Sequence, residues 1–497
     1  MKREKKLELM QTMFNPRNVA IVGGTDNIMK IGAFSVLNIR SCGYRKNAYI
    51  INPNPKYKNK KIFGLDVYPS LDKCPEKIDL VGVVVPPRSV IDTVKQAIDC
   101  DIHTAAIITA GFGEVKTEDR QAKNRELIDI AEKGDLIFVG PNSMGLYTSE
   151  DSNSPLHLGF GVMTPKPGNI AIISQSGTIG TLLCSSINKI KYFVSSGNEA
   201  SLLLEDYLEY FSKNDEVDTI SLFIEGLRDA KRFQRLSSKI NKPIVLFKAG
   251  ITKSGSRAAN THTGSISGSE KIYKAIAKQK GIIYTDNITE FIHLTKGSSF
   301  LLPLPKHYPL RIGIVSGGGG IGVHLADLCE KHGLHVVDLK KEPMGDRLIN
   351  EISDFLPFFW SKNNPFDLVA TRDFNLFPKL TELIFKYDLF DVIITQTSVL
   401  FKKFLSTFQP MDEFGRKMKK MMSSAMGAIA KENKKREIEL CLKYSKKKIV
   451  FISPITDFND PIFDDYNDNK ILVVGGNPEM AAIVLKKLQD YQKIHLD

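Results

Sequence analysis

The same local sequence design occurs three times, and it constrains the fold more than any other feature of this chain. The three copies are "PRNVAIVGGTDN" from Pro16, "PGNIAIISQSGTIG" from Pro167 and "PLRIGIVSGGGGIG" from Pro309. In each copy a proline precedes a short run rich in Ile and Val, and glycines and hydroxyl residues then lead into a helical pattern. This pattern is typical of a buried parallel strand, a tight turn and the N-terminus of a helix.

Apolar, strand-like segments alternate with helical segments throughout each third of the chain. "NAYII", "TISLFI" and "DVIITQ" are examples, one from each third. The alternation predicts an α/β fold with three doubly wound, Rossmann-like or flavodoxin-like parallel sheets, whose ligands bind at the carboxyl ends of the strands. The spacing of the three starts and the proline-containing link "TKGSSFLLPLPKHYP" predict domains at residues 1–150, 151–305 and 306–497.

Composition and charge exclude several classes of protein. No uninterrupted apolar run is long enough to span a membrane, and no apolar segment follows the charged N-terminus as in a signal peptide. Six cysteines without a CxxC pair argue against a disulfide framework or zinc cluster and suit the cytoplasm. The net charge is +12, but residues 401–450 alone hold 14 Lys and Arg against 5 Asp and Glu. Because the excess is local, we expect neither nucleic acid nor a membrane as partner.

The turn after the first strand, "GGTDNIMKIG", has two interpretations. It is either a turn that needs glycine for its backbone, or a nest of N–H groups that holds phosphates. Its glycines do not fit GxGxxG, and Asn52, Pro53 and Lys56 stand where an NAD-binding chain usually has an acid. A lysine suits a phosphorylated ribose. With "VVVPPRS" and "IITAGFGE" after the next strands, this edge is predicted to bind a phosphate-rich nucleotide other than NAD.

Two features of the second third lie at the expected ligand edge. "IISQSGTIGTLL" places Ser176, Gly177 and Thr178 at a helix start, where N–H groups and the helix dipole favour an anion. An ordinary Ser/Thr helix cap is the alternative. Glu225 ends the buried strand "TISLFI", with a surface or cap role as its alternative.

One histidine, His262, lies among small and hydroxyl residues in "SRAANTHTGSISGSEK", which is predicted as a loop between a strand and a helix. A structural role is one interpretation. No second His or Cys stands nearby at zinc-ligand spacing, and the chain has no G-x-S-x-G elbow. The remaining role is that of a nucleophile that takes a phosphoryl group on one ring nitrogen. Glu225 is the natural acceptor for the other nitrogen, and the "SQSG" helix start would hold the phosphate.

The motifs of the first third resemble the CoA-binding domain of the acyl-CoA synthetases that form nucleoside diphosphate, the superfamily of succinate–CoA ligase. The resemblance rests on the Gly-rich first turn, "NP" after the second strand, "VPP", "ITAGFGE" and "GPNSMGL". It implies CoA binding by thirteen turn residues, which are Gly23, Thr25, Lys30, Ile31, Gly32, Asn52, Pro53, Lys56, Val85, Pro86, Pro87, Thr109 and Asn142.

The second third resembles the same family. "HTG" followed by "SISGS" is similar to its phosphohistidine loop and implies the phosphohistidine at His262, and "IEG" implies the supporting glutamate at Glu225. "SQSG" implies a phosphate-binding helix at Ser176, Gly177 and Thr178. "SSGNEA" implies a further active-site turn at Gly197 and Asn198.

The resemblance covers the whole chain and matches the alpha-type chain of ADP-forming acetyl-CoA or acyl-CoA synthetases. It implies that acyl-CoA, ADP and inorganic phosphate are interconverted with carboxylic acid, CoA and ATP through acyl phosphate. No P-loop or ATP-grasp module is found, so ADP or ATP with Mg is expected on an ATP-grasp beta-type partner subunit in a hetero-oligomer, and no metal site is expected here. A CoA-sensing regulatory protein and a related carbamoyl or acyl transferase component remain alternatives.

Overall fold

The structure is a computed structural model that describes residues 1–262, 269–369, 373, 375–453 and 460–495, with the side chains of 259–262 and 401–404 left out. The chain divides into two compact units, Met1–Thr295 and Lys296–Asp497. The first unit contains two sheets and the second contains one. No helix in the described ranges is both long and apolar enough to cross a membrane.

The first sheet has the strand order β3-β4-β2-β1-β5-β6-β7. Its strands are β1 (Asn18–Val22), β2 (Asn47–Ile51), β3 (Lys61–Ile62), β4 (Leu65–Tyr68), β5 (Leu80–Val83), β6 (Thr104–Ile107) and β7 (Ile137–Val139). Its helices are α1 (Arg3–Phe14), α2 (Ile31–Ser41), α3 (Val90–Asp99) and α4 (Glu118–Lys133). Only β3 pairs antiparallel. The parallel strands follow the Rossmann order, so the topological switch point lies between β1 and β5 and opens a ligand crevice there.

The second sheet has the order β14-β13-β12-β10-β11-β8-β9, and its parallel part is flavodoxin-like. Its strands are β8 (Gly145–Thr148), β9 (Leu156–Gly159), β10 (Pro167–Ser174), β11 (Ile190–Ser195), β12 (Thr219–Ile224), β13 (Ile244–Lys248) and β14 (Ile283–Thr285). Its helices are α5 (Gly177–Ile187), α6 (Leu204–Ser212), α7 (Ala230–Ser237), α8 (Lys253–His262), α9 (Glu270–Lys280) and α10 (Ile288–Leu301). β8 and β9 are antiparallel additions at one edge.

One hydrophobic core runs through both sheets of the first unit. Ile21 of the first sheet and Ile173 of the second belong to the same buried cluster. Helix α1 joins the two sheets because Phe14 stacks on Tyr210 at 5.3 Å between ring centroids. Lys6 on the same helix pairs with Asp206 of α6 at 3.2 Å. The two sheets therefore hold their ligand edges in a fixed relation, which positions the site described below.

The third sheet has the order β16-β15-β18-β19-β20 with β17 beside β15, and it is again flavodoxin-like. Its strands are β15 (Arg311–Ser316), β16 (His335–Val336), β17 (Phe366–Asp367), β18 (Val392–Gln396), β19 (Lys448–Ser453) and β20 (Val473–Gly475). Its helices are α11 (Gly319–Lys331), α12 (Gly345–Ser353), α13 (Leu376–Lys386), α14 (Leu400–Thr407), α15 (Glu413–Lys443), α16 (Asp464–Asp468) and α17 (Glu479–His495). The three sheets confirm the predicted fold class; the three-domain division stays a proposal.

The backbone at His262 differs from the sequence prediction. The prediction placed His262 on a loop, but residues 253–262 form α8. The helix starts there because the Thr252 hydroxyl accepts a hydrogen bond from the Gly255 N–H at 3.0 Å, which caps it. The His262 side chain and residues 263–268, which hold the rest of the predicted phosphohistidine loop, lie outside the described part of the chain.

Candidate functional site

A cavity of about 1620 Å³ lies at the carboxyl edge of the first sheet and extends to the N-terminus of α5. Its lining includes all thirteen residues for which the family resemblance implies CoA contact. Ser176, Gly177, Thr178 and Gly197 line it too. The fold thus brings the predicted CoA residues and most of the predicted phosphate residues to one space, while their roles stay predictions.

The turn after β1 packs directly against the start of α2. Gly23 has a φ of +95°, and a Cβ on Gly32 would lie 2.4 Å from the Gly23 carbonyl oxygen. Lys30 precedes the helix and makes no side-chain cap bond. The first N–H groups of α2 are therefore uncapped by that side chain, as an anion-binding helix start requires.

Lys56 belongs to a polar cluster at the rim of the cavity. Its Nζ lies 3.2 Å from Asp26, and the Tyr57 hydroxyl donates to Asp26 at 2.6 Å. Hydrogen bonding by Tyr57 and then by Lys56 lowers the pKa of Asp26, and the same cluster raises the pKa of Lys56. Lys56 Nζ thus lies at the rim of the cavity, paired with the Asp26 carboxylate. Asp26 and Tyr57 were not predicted from the sequence, although both adjoin predicted residues.

Hydrogen bonds tie the remaining turns of the first sheet together. The Thr109 hydroxyl donates to the Val85 carbonyl at 2.7 Å, and the Asn142 N–H donates to the Thr109 carbonyl at 3.0 Å. The Asn142 side-chain amide then reaches Asn198 Oδ1 at 3.3 Å, on the turn after β11 of the second sheet. Asn198 itself does not line the cavity but braces its wall through this bond.

The start of α5 faces the cavity without a side-chain cap. The helix begins at Gly177, and Ser176 in the cap position makes no side-chain hydrogen bond to it. Ser176 therefore does not form the ordinary Ser/Thr cap that was the alternative. Uncapped N–H groups together with the helix dipole stabilise an anion by about 0.3–1 kcal/mol, and by more where the site is partly buried.

Gln175 connects the three turns at the ligand edge of the second sheet. Its Oε1 accepts from the backbone N–H groups of Glu225 and Gly226, the latter at 3.0 Å. Its Nε2 donates to Glu199 at 2.9 Å and to the Gly226 carbonyl at 2.8 Å. The turns after β10, β11 and β12 are thereby fixed to one another.

Glu225 is buried beside the cavity rather than in its lining. Lys248, which is also buried, donates from Nζ to the Glu225 carbonyl at 2.8 Å. Burial lowers the pKa of Lys248. Gln175, Glu199 and Lys248 were missed by the sequence analysis; the first two stood inside the quoted motifs "SQSG" and "SSGNEA", which was the only signal for them. In the described ranges no group of three or more His, Cys, Asp or Glu comes together as metal ligands.

Glu205, at the start of α6, should make stability depend on pH. It is fully buried, and burial raises its pKa to about 7. Because the pKa in the fold exceeds the unfolded value of 4.5, its favourable contribution is complete below pH 4.5 and is lost as pH rises through 7. We expect the free energy of unfolding to fall by about 3 kcal/mol from this group between pH 4.5 and 8.

Calorimetric unfolding of wild type and Glu205→Gln from pH 5 to 8 measures this loss. Glu437, buried in the second unit with a pKa raised to about 7, acts in the same direction, so the difference between the two proteins isolates Glu205. Glu8→Gln, on the exposed side of α1, is the matched control. Equal pH dependence in wild type and Glu205→Gln would contradict the prediction.

Two family models match parts of the chain. The CoA binding domain matches residues 17–149, and the succinyl-CoA ligase-like flavodoxin domain matches residues 167–297. The chain is 33% identical over 392 residues to the alpha subunit of ADP-forming acetate–CoA ligase II of Pyrococcus furiosus, covering 78% of this chain and 82% of the relative. It is 31% identical over 444 residues to the alpha subunit of ligase I of the same organism, and the match covers 85% of this chain and 91% of the relative.

A third relative is longer than this chain. ADP-forming acetate–CoA ligase I of Archaeoglobus fulgidus is 32% identical, and the match covers 78% of this chain but only 54% of the relative. Among solved structures, the dinucleotide-forming acetyl-coenzyme A synthetase 1 of Candidatus Korarchaeum cryptofilum, in complex with phosphate and ADP, matches with a TM-score of 0.77 and 26% identity, covering 98% of this chain and 97% of that one. A protein of Pyrococcus horikoshii OT3 also matches with a TM-score of 0.77 and 26% identity, and the match covers 98% of this chain and 99% of that one.

Proposed function

The chain belongs to the family of the ADP-forming acetate–CoA ligase alpha subunits, and from this we propose that it is the alpha subunit of an ADP-forming acyl-CoA synthetase. The enzyme interconverts acyl-CoA, ADP and phosphate with carboxylic acid, CoA and ATP. One observation carries the proposal: a single cavity joins the predicted CoA turns of the first sheet to the uncapped start of α5. A thioester and a phosphate can therefore meet in one space.

The first step makes acyl phosphate. An oxygen of inorganic phosphate attacks the thioester carbonyl carbon, the C–S bond breaks, and the CoA thiolate leaves and takes up a proton. The uncapped N–H groups at Ser176, Gly177 and Thr178 hold the phosphate, and the turn at Gly197 and Asn198 closes the wall beside them. The thirteen turn residues of the first sheet hold CoA in place, with Lys56 as a cation for one of its phosphates.

The second step moves the phosphoryl group to His262. A ring nitrogen of His262 attacks phosphorus, the P–O bond to the acyl group breaks, and the carboxylate leaves. The attacking nitrogen carries no proton and uses its lone pair, while the N–H of the other ring nitrogen donates to Glu225, which orients the ring. The phosphoryl group then passes from His262 to ADP, which regenerates the imidazole and gives ATP.

The nucleotide, with Mg, is bound by an ATP-grasp beta-type subunit, so the enzyme is a hetero-oligomer. The names of the relatives support this division. The two Pyrococcus relatives are named alpha subunits, whereas the name of the Archaeoglobus ligase carries no subunit label. The six cysteines are free thiols, in keeping with work in the reducing cytoplasm. The proposed organisation has three domains. Residues 1–150 bind CoA, residues 151–305 carry out phosphoryl transfer, and residues 306–497 form a further flavodoxin-like domain.

The purified chain incubated with ³²P-labelled acetyl phosphate tests the proposal. We expect about one acid-labile, alkali-stable phosphate per chain, the behaviour of phosphohistidine, and phosphate-dependent release of CoA from acetyl-CoA. A CoA-sensing regulatory protein would bind CoA but take up no phosphate. A carbamoyl or acyl transferase component would release CoA without phosphate, and either result would contradict the proposal.

A further inference from the structure

We propose that Glu199 is a positioning residue, whose carboxyl group helps to fix the orientation of the Gln175 side-chain amide and thereby supports the turn that carries Glu225. The inference rests on the proposed function, because the turn matters through the role of Glu225. Glu199 lies on the turn after β11 with a φ of +51°, and its side chain is 3% exposed.

The carboxylate selects one end of the Gln175 amide. Glu199 Oε1 accepts from Gln175 Nε2 at 2.9 Å and from the Ser196 hydroxyl at 2.8 Å. Because the Ser196 hydroxyl donates to the same oxygen, Oε1 acts as an acceptor, and the nitrogen end of the Gln175 amide faces it. The oxygen end then necessarily faces the turn after β12.

That orientation is the one the Glu225 turn needs. Gln175 Oε1 accepts from the N–H groups of both Glu225 and Gly226. A flipped amide would point its NH2 group at these two donors and leave both buried N–H groups without an acceptor. Glu199 Oε1 and the Gly226 carbonyl, to which Nε2 donates at 2.8 Å, thus both favour the same one of two amide orientations that have nearly the same shape.

The turn around Glu199 does not need the carboxylate to keep its shape. Its backbone is held by the Asn198 N–H on the Pro141 carbonyl at 2.9 Å and by the Ala200 N–H on the Gly140 carbonyl at 3.2 Å. Arg228 adds a hydrogen bond to the Asn198 carbonyl at 2.6 Å, and its Nε lies 4.0 Å from the second Glu199 oxygen. A variant with Glu199 replaced should therefore fold, and the substitution should affect the site through the Gln175 side chain.

Two substitutions distinguish the loss of a hydrogen-bond acceptor at position 199 from a change in side-chain volume. Glu199→Gln keeps an oxygen that can accept from Gln175, whereas Glu199→Leu removes the acceptor. We expect Glu199→Leu to slow phosphorylation by labelled acetyl phosphate about tenfold, with CoA affinity within about twofold of wild type, and Glu199→Gln to stay within about threefold in rate. Glu205→Gln is the matched control, since this buried acid makes no hydrogen bond to Gln175, and it should phosphorylate like wild type.

A double-mutant cycle and an exchange measurement complete the test. Gln175→Leu should show the same defect, and adding Glu199→Leu to it should cost nothing further. Hydrogen exchange at the Glu225 and Gly226 amides should be about tenfold faster in Glu199→Leu, whether or not the chain is phosphorylated. The role of Glu199 would be overturned by unchanged hydrogen exchange at these amides or by additive effects of the two substitutions. A loss of CoA affinity as large as the loss of phosphorylation rate would overturn it too. Absent phosphorylation of wild type would overturn the proposed function alone.

Discussion

Replacing His262 with asparagine is expected to abolish phosphoryl transfer and to leave CoA binding intact. Asparagine keeps a polar side chain of similar reach but has no nucleophilic nitrogen, so no phosphoryl-enzyme bond can form. We expect labelling by acetyl phosphate, and ATP synthesis with the partner subunit, to fall at least about 10³-fold. CoA affinity should stay within about twofold, because its predicted contacts come from the turns of the first sheet.

The control applies the same change to an exposed histidine. His335 lies on β16 and is exposed, so His335→Asn should label and turn over like wild type. Acid-labile phosphate on His262→Asn at the wild-type level would show that another residue carries the phosphoryl group. Loss of CoA binding in His262→Asn would mean that the substitution acts on the fold.

Local sequence patterns were sufficient to predict the central strands. Runs such as "NAYII" and "TISLFI" coincide with β2 and β12 because the buried parts of parallel strands must be apolar. β8 and β9 were missed, since each is a four-residue segment without such a run. Their place in the sheet depends on a partner distant in sequence, because Gly145 of β8 pairs with Ser195 of β11.

The candidate site was predictable as far as topology alone places residues. Turns that follow neighbouring parallel strands meet at one edge, so Gly23, Asn52 and Pro86 were expected together. The orientation of Gln175 was not predictable, because it depends on a carboxylate from a second turn and two amides from a third. The helix that ends at His262 was missed because its Thr252 cap lies ten residues before the histidine, in a stretch that resembles a loop.

Gly32→Ala should weaken CoA binding at least about 100-fold, equivalent to about 2.7 kcal/mol. Gly32 is the second residue of α2, and an added Cβ would lie 2.4 Å from the Gly23 carbonyl oxygen. Both partners are backbone, so the contact can be relieved only by moving the start of α2 away from the turn after β1. That movement would displace the N–H groups predicted to hold the CoA phosphates.

Titration calorimetry with CoA measures the loss, and Gly427→Ala is the matched control. Gly427 lies inside α15, and a Cβ there would meet nothing within 4 Å. The control should bind CoA like wild type and stabilise the helix by about 1 kcal/mol, because glycine is a poor helix former. If Gly32→Ala bound CoA as tightly as wild type with an unchanged melting temperature, the close approach of α2 to the first turn would not be what shapes the cavity. The predicted loss, with the fold retained, would tie CoA affinity to the placement of one helix start.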